Sequence, residues 1–412
     1  MRERWVRCGG TPAAASAIPR HRRHRRRTAL WTSAAGGYAG SPDTLRFRFL
    51  TSTPQDIARG SGTYVGISVL AHALRELGHT VDGESPTRHF PVFTAERLWF
   101  NRGLRASAAY DCTVGFDMDG YRIARGGALH VASLKGVIAD EVRFERGLTR
   151  LTMSVQARCE RLHVQRAHLV LVSSRYSGEC AQRFYGLEQF PMVVPEPIDL
   201  GAWRRHLAAA AAPGPAHAGR FTVLCVGRFY RRKRVGLLLE AAAALREAIP
   251  GLAVRIVGNG PCEAAWRAQA EDLKLDGTVT WLGDISRGRL AAEYHGANIF
   301  CLPSVQEGFG IVLLEAMAAG KPIVAARAAA IPEVAPHATL VEPESAPALA
   351  AGILDLYDSP AAQAAQAEKG LQRVEQFDAP LVARLFVEAV RGAELGNAEE
   401  HIQPPMNTDK RG

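Results

Sequence analysis

Twice along its length, from Leu45 and again from Phe221, this chain alternates short apolar runs with longer amphipathic ones. A strand that is apolar throughout must be covered on both faces, and a helix between two such strands makes the crossover that parallel pairing requires. The alternation therefore predicts an α/β protein with two Rossmann-like, doubly wound parallel sheets. In the first half, LRFRFLT (45–51), DCTVGF (111–116), ALHVASL (128–134) and HLVLVSS (168–174) read as strands. Helices are predicted over TYVGISVLAHALRELGH, with a stripe through Val65, Val69, His72, Ala73 and Leu77, and over TRLTMSVQARCERLHVQR. In the second half, FTVLCVG (221–227), LAVRIVG (252–258), TVTWLG (278–283) and NIFCLPS (298–304) read as strands, with VGLLLEAAAALREAI as a helix.

With 412 residues and 47% hydrophobic content, the chain is too long for one compact core and long enough for two. The low-complexity stretch LAAAAAPGPAHAG at 207–219 is the natural linker, dividing a first domain at 45–206 from a second at 220–375. A last helix at 376–396 is expected to pack back toward the first domain, with a disordered polar tail at 397–412 and a disordered basic extension at 1–44. The net charge of +9 suggests a nucleic-acid partner until it is located: residues 1–30 hold nine arginines against one glutamate, Glu3, so the folded part is nearly neutral. Nucleic acid is accordingly not the expected partner. Arg26-Arg27 precede a stretch too short and polar for an export signal, and no apolar run reaches the ~18 residues of a membrane span. Seven scattered cysteines without a CxxC pair argue for buried free thiols in a reducing compartment.

In open parallel sheets, ligands bind beyond the carboxyl ends of the strands. Unusual residues cluster there in the second half: Arg228 and Lys233 after VLCVG, the glycine-flanked Asn259 after VRIVG, and the turn EGFG after FCLPS. A guanidinium fork, an ammonium and backbone N–H groups at a helix start suit a nucleotide diphosphate. The same stretch, PSVQEGFGIVLLEAMAAG, places Glu315 on the stripe Ile311, Leu314, Glu315, Ala318 and Ala319 of a short helix. A buried carboxylate must be paired, neutralised or reserved for a polar ligand, so either a buried arginine or a ligand should meet it.

VGRFYRRKR, IVGNGP, WLGDI, LPSVQEGFGIVLLEAMAAGKPIVA and IPEV together resemble the donor domain of GT-B glycosyltransferases, the retaining family numbered four (glycosyl transferases group one). The hallmark is the E-x7-E spacing from Glu307 to Glu315, and the likeness covers about 221–345; the first half matches through Gly60-Ser61-Gly62 and LAHALRELGHTV. The resemblance implies two Rossmann-like domains facing a central cleft and transfer of a sugar, with retention, from a nucleotide-diphosphate sugar to a hydroxyl acceptor. That acceptor would be a glycan, a lipid-linked precursor or a small molecule, in polysaccharide or glycolipid biosynthesis. Arg228 and Lys233 would hold the diphosphate, Glu307 would face the sugar, and Gly62, Asn259, Gly308, Phe309, Gly310 and Ile311 would contact the donor. Glu315 would accept from the ribose hydroxyls. No cofactor and no metal are implied, and the setting would be cytoplasmic, with peripheral contact at the inner membrane face.

The first domain departs from the family pattern. Relatives end a strand there in His-Gly, whereas ALHVASLKG ends in Lys135-Gly136, so Lys135 is the candidate to take the histidine's place, and His130, inside the strand, reads as a core residue. Asp117-Met118-Asp119 resembles the metal motif of a different glycosyltransferase architecture; before a glycine, the two aspartates read as turn residues, with one of them at the rim of the acceptor cleft. The Lys135 substitution also fits a sugar-nucleotide-binding protein without turnover, and the architecture fits a nucleotide-sugar epimerase.

Overall fold

The computed structural model describes residues 44–53, 62–126, 128–210 and 219–402. The proposed basic extension before Thr44, Gly60 and Ser61, positions 211–218 of the proposed linker and positions 403–412 of the proposed tail lie outside the described residues.

Apolar strands in the first half pair as one parallel sheet: β1 (Arg46–Leu50), β2 (Thr80–Glu84), β3 (Cys112–Phe116), β4 (Leu129–Leu134), β5 (Leu169–Val172) and β6 (Met192–Val193), in the order β2-β1-β3-β4-β5-β6. The second half repeats this with β7 (Phe221–Val226), β8 (Leu252–Val257), β9 (Val279–Gly283), β10 (Ile299–Leu302), β11 (Ile323–Ala326) and β12 (Thr339–Val341), in the order β12-β11-β10-β7-β8-β9. Both sheets change direction beside their first strands, the position at which such sheets open a crevice. β3, β4, β7, β8, β10 and β11 are buried at every position, as strands covered on both faces must be. The two sheets with their flanking helices form a GT-B fold.

Three expectations change in detail. In helix Gly62–Glu76 the buried residues are Gly66, Ile67, Leu70, Ala71, Ala73 and Leu74, so only Ala73 of the predicted stripe is buried; His72 is exposed beside Glu76. The face is turned because the helix packs on both the sheet and the C-terminal helix, whose Phe386 meets Phe47 and Phe49 edge-on at 5.8 and 6.3 Å. That C-terminal helix, Ala379–Ile402, continues past Asn397, where the polar tail was expected to begin.

The domain crossing also lies earlier than the low-complexity stretch. Helix Leu200–Ala209 already belongs to the second core, because Trp203 stacks edge-on against Tyr294 at 5.6 Å and donates its indole N–H to the Glu315 carbonyl at 3.1 Å. The chain crosses at Ile198, whose N–H donates to Phe377 O while its carbonyl accepts from Ala379 N, each at 2.9 Å. The outgoing and returning crossings therefore lie side by side. Six cysteines fall among the described residues, and five of them are buried.

Candidate functional site

The carboxyl ends of β4 and β7 and the loop after β10 open onto one shared cleft. From the second domain, Arg228 lies two residues past the end of β7 and Lys233 closes the short 3-10 turn Arg231–Lys233. Glu307, Gly308, Phe309 and Gly310 form the wall after β10, and Ile311 begins helix Ile311–Ala318. From the first domain, Gly62 and Lys135 face them. Residues far apart in sequence, selected as separate strand ends, thus line a single space.

The loop is held tightly. Lys233 Nζ lies 2.6 Å from Glu307 Oε1, with the side chains 17% and 8% exposed. Gly308 leaves no room for a side chain: a Cβ there would lie 2.8 Å from Lys135 O and 3.1 Å from Gly136 Cα. Its carbonyl accepts from the hydroxyls of Ser173, Ser174 and Ser177 at 3.2, 2.6 and 3.1 Å. Ser174 also caps helix Arg175–Tyr185, and the N–H groups of Arg175 and Tyr176 at that positive end donate to the Glu333 carboxylate at 2.8 and 3.3 Å. The two domains are therefore joined beside the cavity through backbone groups of each. Arg232 adds a bridge across the cleft, with Nη2 3.2 Å from Glu141 Oε1.

Asn259 is placed differently from the expected donor contact. It does not line the cavity; its Oδ1 accepts from Arg228 Nη1, and its Nδ2 donates to Asp284, so it orients the arginine. The reason is geometric: the turn after β8 sits one strand out from β7. Glu315 lines an adjoining cavity of about 460 Å³ that shares Ile311 with the first. Its carboxylate is paired, with Arg287 Nη1 3.0 Å from Oε1 and the Tyr294 hydroxyl 3.2 Å from Oε2. Burial raises its pKa above the ordinary carboxylate value, while Arg287 and the Tyr294 hydrogen bond pull it back. The charge within the apolar helix is thus met by an arginine from another helix, and that arginine stands over the Trp203 ring at 5.7 Å. The predicted stripe is also too narrow, since every residue from Leu313 to Ala318 is buried.

In the first domain, His130 is 2% exposed and its Nε2 lies 2.8 Å from His163 Nε2. His163 Nδ1 donates to Asp117 O at 2.6 Å, so its Nε2 accepts and His130 supplies the proton. Desolvation holds both rings neutral, lowering His163 to about 4 and, with the neighbouring His163, lowering His130 to about 2. Asp119 is fully buried and accepts from Ser52 N and Oγ, Arg97 and Asn101 at 2.6–3.1 Å, so it lies inside the domain and not at the cleft rim. Asp117 accepts from Lys135 N at 2.9 Å, and burial raises its carboxyl to about 6 against the pull of Arg97.

Several residues at the cavity escaped the sequence reading: Arg232, Glu141, Glu196 and Gln306, whose buried Oε1 has no hydrogen-bond partner. For Arg232 the basic run RFYRRKR was the available signal. Glu141 and Glu196 carry none, because only the fold brings them to the cleft.

Comparison with known proteins is consistent with this geometry. Residues 210–373 match the family described as glycosyl transferases group 1. A D-inositol 3-phosphate glycosyltransferase of Pseudarthrobacter chlorophenolicus is 32% identical over 182 residues, 42% of this chain and 43% of that protein. A GDP-mannose-dependent alpha-(1-6)-phosphatidylinositol monomannoside mannosyltransferase of Mycobacterium tuberculosis is 35% identical over 125 residues, 29% of this chain and 32% of that protein. The chain thus matches less than half the length of either relative. Among solved structures, a sucrose-phosphate synthase from Thermosynechococcus elongatus superposes with a TM-score of 0.68 over 86% of this chain and 100% of its own, at 22% identity, a likeness of fold.

Proposed function

We propose, from the match of residues 210–373 to the glycosyl transferases group 1 family, that the chain moves a sugar from a nucleotide-diphosphate sugar to a hydroxyl acceptor in glycolipid or polysaccharide assembly. The observation that carries the reading is the convergence of Arg228, Lys233, Glu307 and the Gly308–Gly310 backbone on one cavity opposite Lys135. Cations and backbone dipoles are what a departing diphosphate needs, and they are worth most where water is excluded. In this reading Arg228, oriented by Asn259, and Lys233 take the diphosphate, Lys135 approaches from the first domain, and Glu307 faces the sugar. Glu315 accepts the ribose hydroxyls beside Arg287. With the leaving charge met by side chains, the transfer calls for no metal.

The reaction proceeds with retention. The acceptor oxygen enters on the face the diphosphate leaves; the C1–O bond to phosphate breaks as the new C1–O bond forms, and the acceptor's proton passes to the departing phosphate oxygen. Closure of the cleft through the Ser174–Gly308 and Glu333 contacts brings the two substrates together. The test is a panel of nucleotide sugars screened for thermal stabilisation, because a ligand that binds only the folded state raises the melting temperature by mass action. One donor should shift the melt, and its nucleotide should be released on incubation; a panel without any shift refutes the reading.

The acceptor is membrane-borne, and the enzyme sits at the cytoplasmic face. Support comes from helix Gly147–Val164, where Leu148 and Leu151 are 70% and 65% exposed and stand one turn apart, flanked by exposed Arg146 and Arg150. Apolar side chains ringed by arginines suit an anionic lipid surface. Among the described residues, no helix is long and apolar enough to cross a membrane.

A further inference from the structure

Facing the Lys233–Glu307 pair is a second lysine–carboxylate pair, supplied by the first domain. Lys135 follows β4 and Glu196 follows β6; Nζ lies 3.0 Å from Glu196 Oε1 and 3.1 Å from Oε2. The side chains are 7% and 3% exposed, and both residues line the cavity. Only the Oε2 contact has hydrogen-bond geometry, so Oε1 is buried without a hydrogen bond. Helix Gly62–Glu76 makes room for this carboxylate, since a Cβ on Gly66 would lie 2.1 Å from Glu196 Oε2.

A buried ion pair adds little stability compared with apolar residues of the same volume, so packing does not account for one in a cavity wall. Its place beside a diphosphate site does. A diphosphate entering the cavity competes for both ammonium groups, and each lysine that turns to phosphate leaves its carboxylate short of donors. A buried carboxylate in that state needs hydroxyls or N–H groups. With the ribose assigned to Glu315 in the adjoining cavity, the hydroxyls available beside Glu196 are those of the transferred sugar. We propose that Glu196 is a specificity-determining residue that accepts hydrogen bonds from the hydroxyls of the transferred sugar, with Lys135 as the partner that releases it by moving to the leaving phosphate. The inference rests on the donor-site reading above.

Titration calorimetry of the full chain with UDP, UDP-glucose, GDP and GDP-mannose tests it. Glu196→Gln should weaken the nucleotide sugar by about tenfold or more, the worth of a hydrogen bond to a charged group, while changing the matching nucleoside diphosphate by less than about threefold. Because Glu196→Gln leaves Lys135 buried and unpaired, the double variant Lys135→Met/Glu196→Gln is measured alongside it. It should melt close to the wild type; both ligands weaken because the phosphate loses Lys135, but the nucleotide sugar should weaken by about tenfold more than the matching nucleoside diphosphate. An equal loss for sugar and nucleoside diphosphate, or no loss for either, overturns the role of Glu196. Wild-type protein that binds none of the four refutes the donor site itself, a result distinct from wild-type binding that Glu196→Gln leaves unselective.

Discussion

Replacing Lys233 by methionine separates what this residue does for folding from what it does for the ligand. In the folded chain its Nζ is 2.6 Å from Glu307 Oε1, and that carboxylate is 8% exposed. Removing the ammonium strands a largely buried charge, at a cost of about 2–4 kcal/mol. The second effect is on binding. Wild-type protein with donor at one hundred times its Kd gains about 2.7 kcal/mol of stability. Loss of a charge-assisted contact to phosphate, about 1.5–3 kcal/mol, weakens Kd by roughly 10- to 100-fold. At the same donor concentration the ligand-induced gain then falls to about 0.4–1.4 kcal/mol. The assay is a thermal melt with and without donor on wild type, Lys233→Met and Lys233→Met/Glu307→Gln. The double variant should recover stability without recovering the ligand-induced shift. A Lys233→Met protein that keeps the full wild-type shift refutes the phosphate role, whatever its own melting temperature.

Two further outcomes follow from the first domain. The Asp117 carboxyl is raised from 3.8 to about 6 in the folded state, so its protonated form is favoured there: the stability it contributes is full below about pH 4 and is lost as pH rises through 6. Asp117→Asn keeps an acceptor for Lys135 N, so the variant should match wild type in melts at pH 4 and exceed it at pH 8 by up to about 3 kcal/mol; a gap independent of pH contradicts the assignment. Leu148→Ser/Leu151→Ser should leave the melt unchanged, because both side chains are exposed, and should cut co-sedimentation with phosphatidylglycerol vesicles by about tenfold. Equal sedimentation of variant and wild type removes the membrane face from this helix.

Much of the architecture was legible because apolar periodicity is local. FTVLCVG and LAVRIVG became β7 and β8, and FCLPS and EGFG marked β10 and the loop that follows it. Where the reading erred, the deciding partner was distant in sequence. The stripe of helix Gly62–Glu76 turned because the C-terminal helix covers it, and helix Leu200–Ala209 joined the second core because Trp203 meets Tyr294. Asp119 lies in the expected turn at 117–120, but only the fold makes it the centre of a buried network with Ser52, Arg97 and Asn101.

The sequence by itself determined the two parallel sheets, the order of the groups suited to phosphate at their strand ends, and the E-x7-E helix. These depend on spacing along the chain, which the periods of strand and helix convert directly into position. Tertiary structure alone decided which charges meet: Arg287 with Glu315, Lys233 with Glu307, Arg232 with Glu141 and Lys135 with Glu196. The partners in these pairs come from separate segments, and in one of them, Arg232 with Glu141, from different domains. A buried charge is satisfied by whichever opposite charge the packing brings within about 3 Å, and packing is a property of the assembled fold.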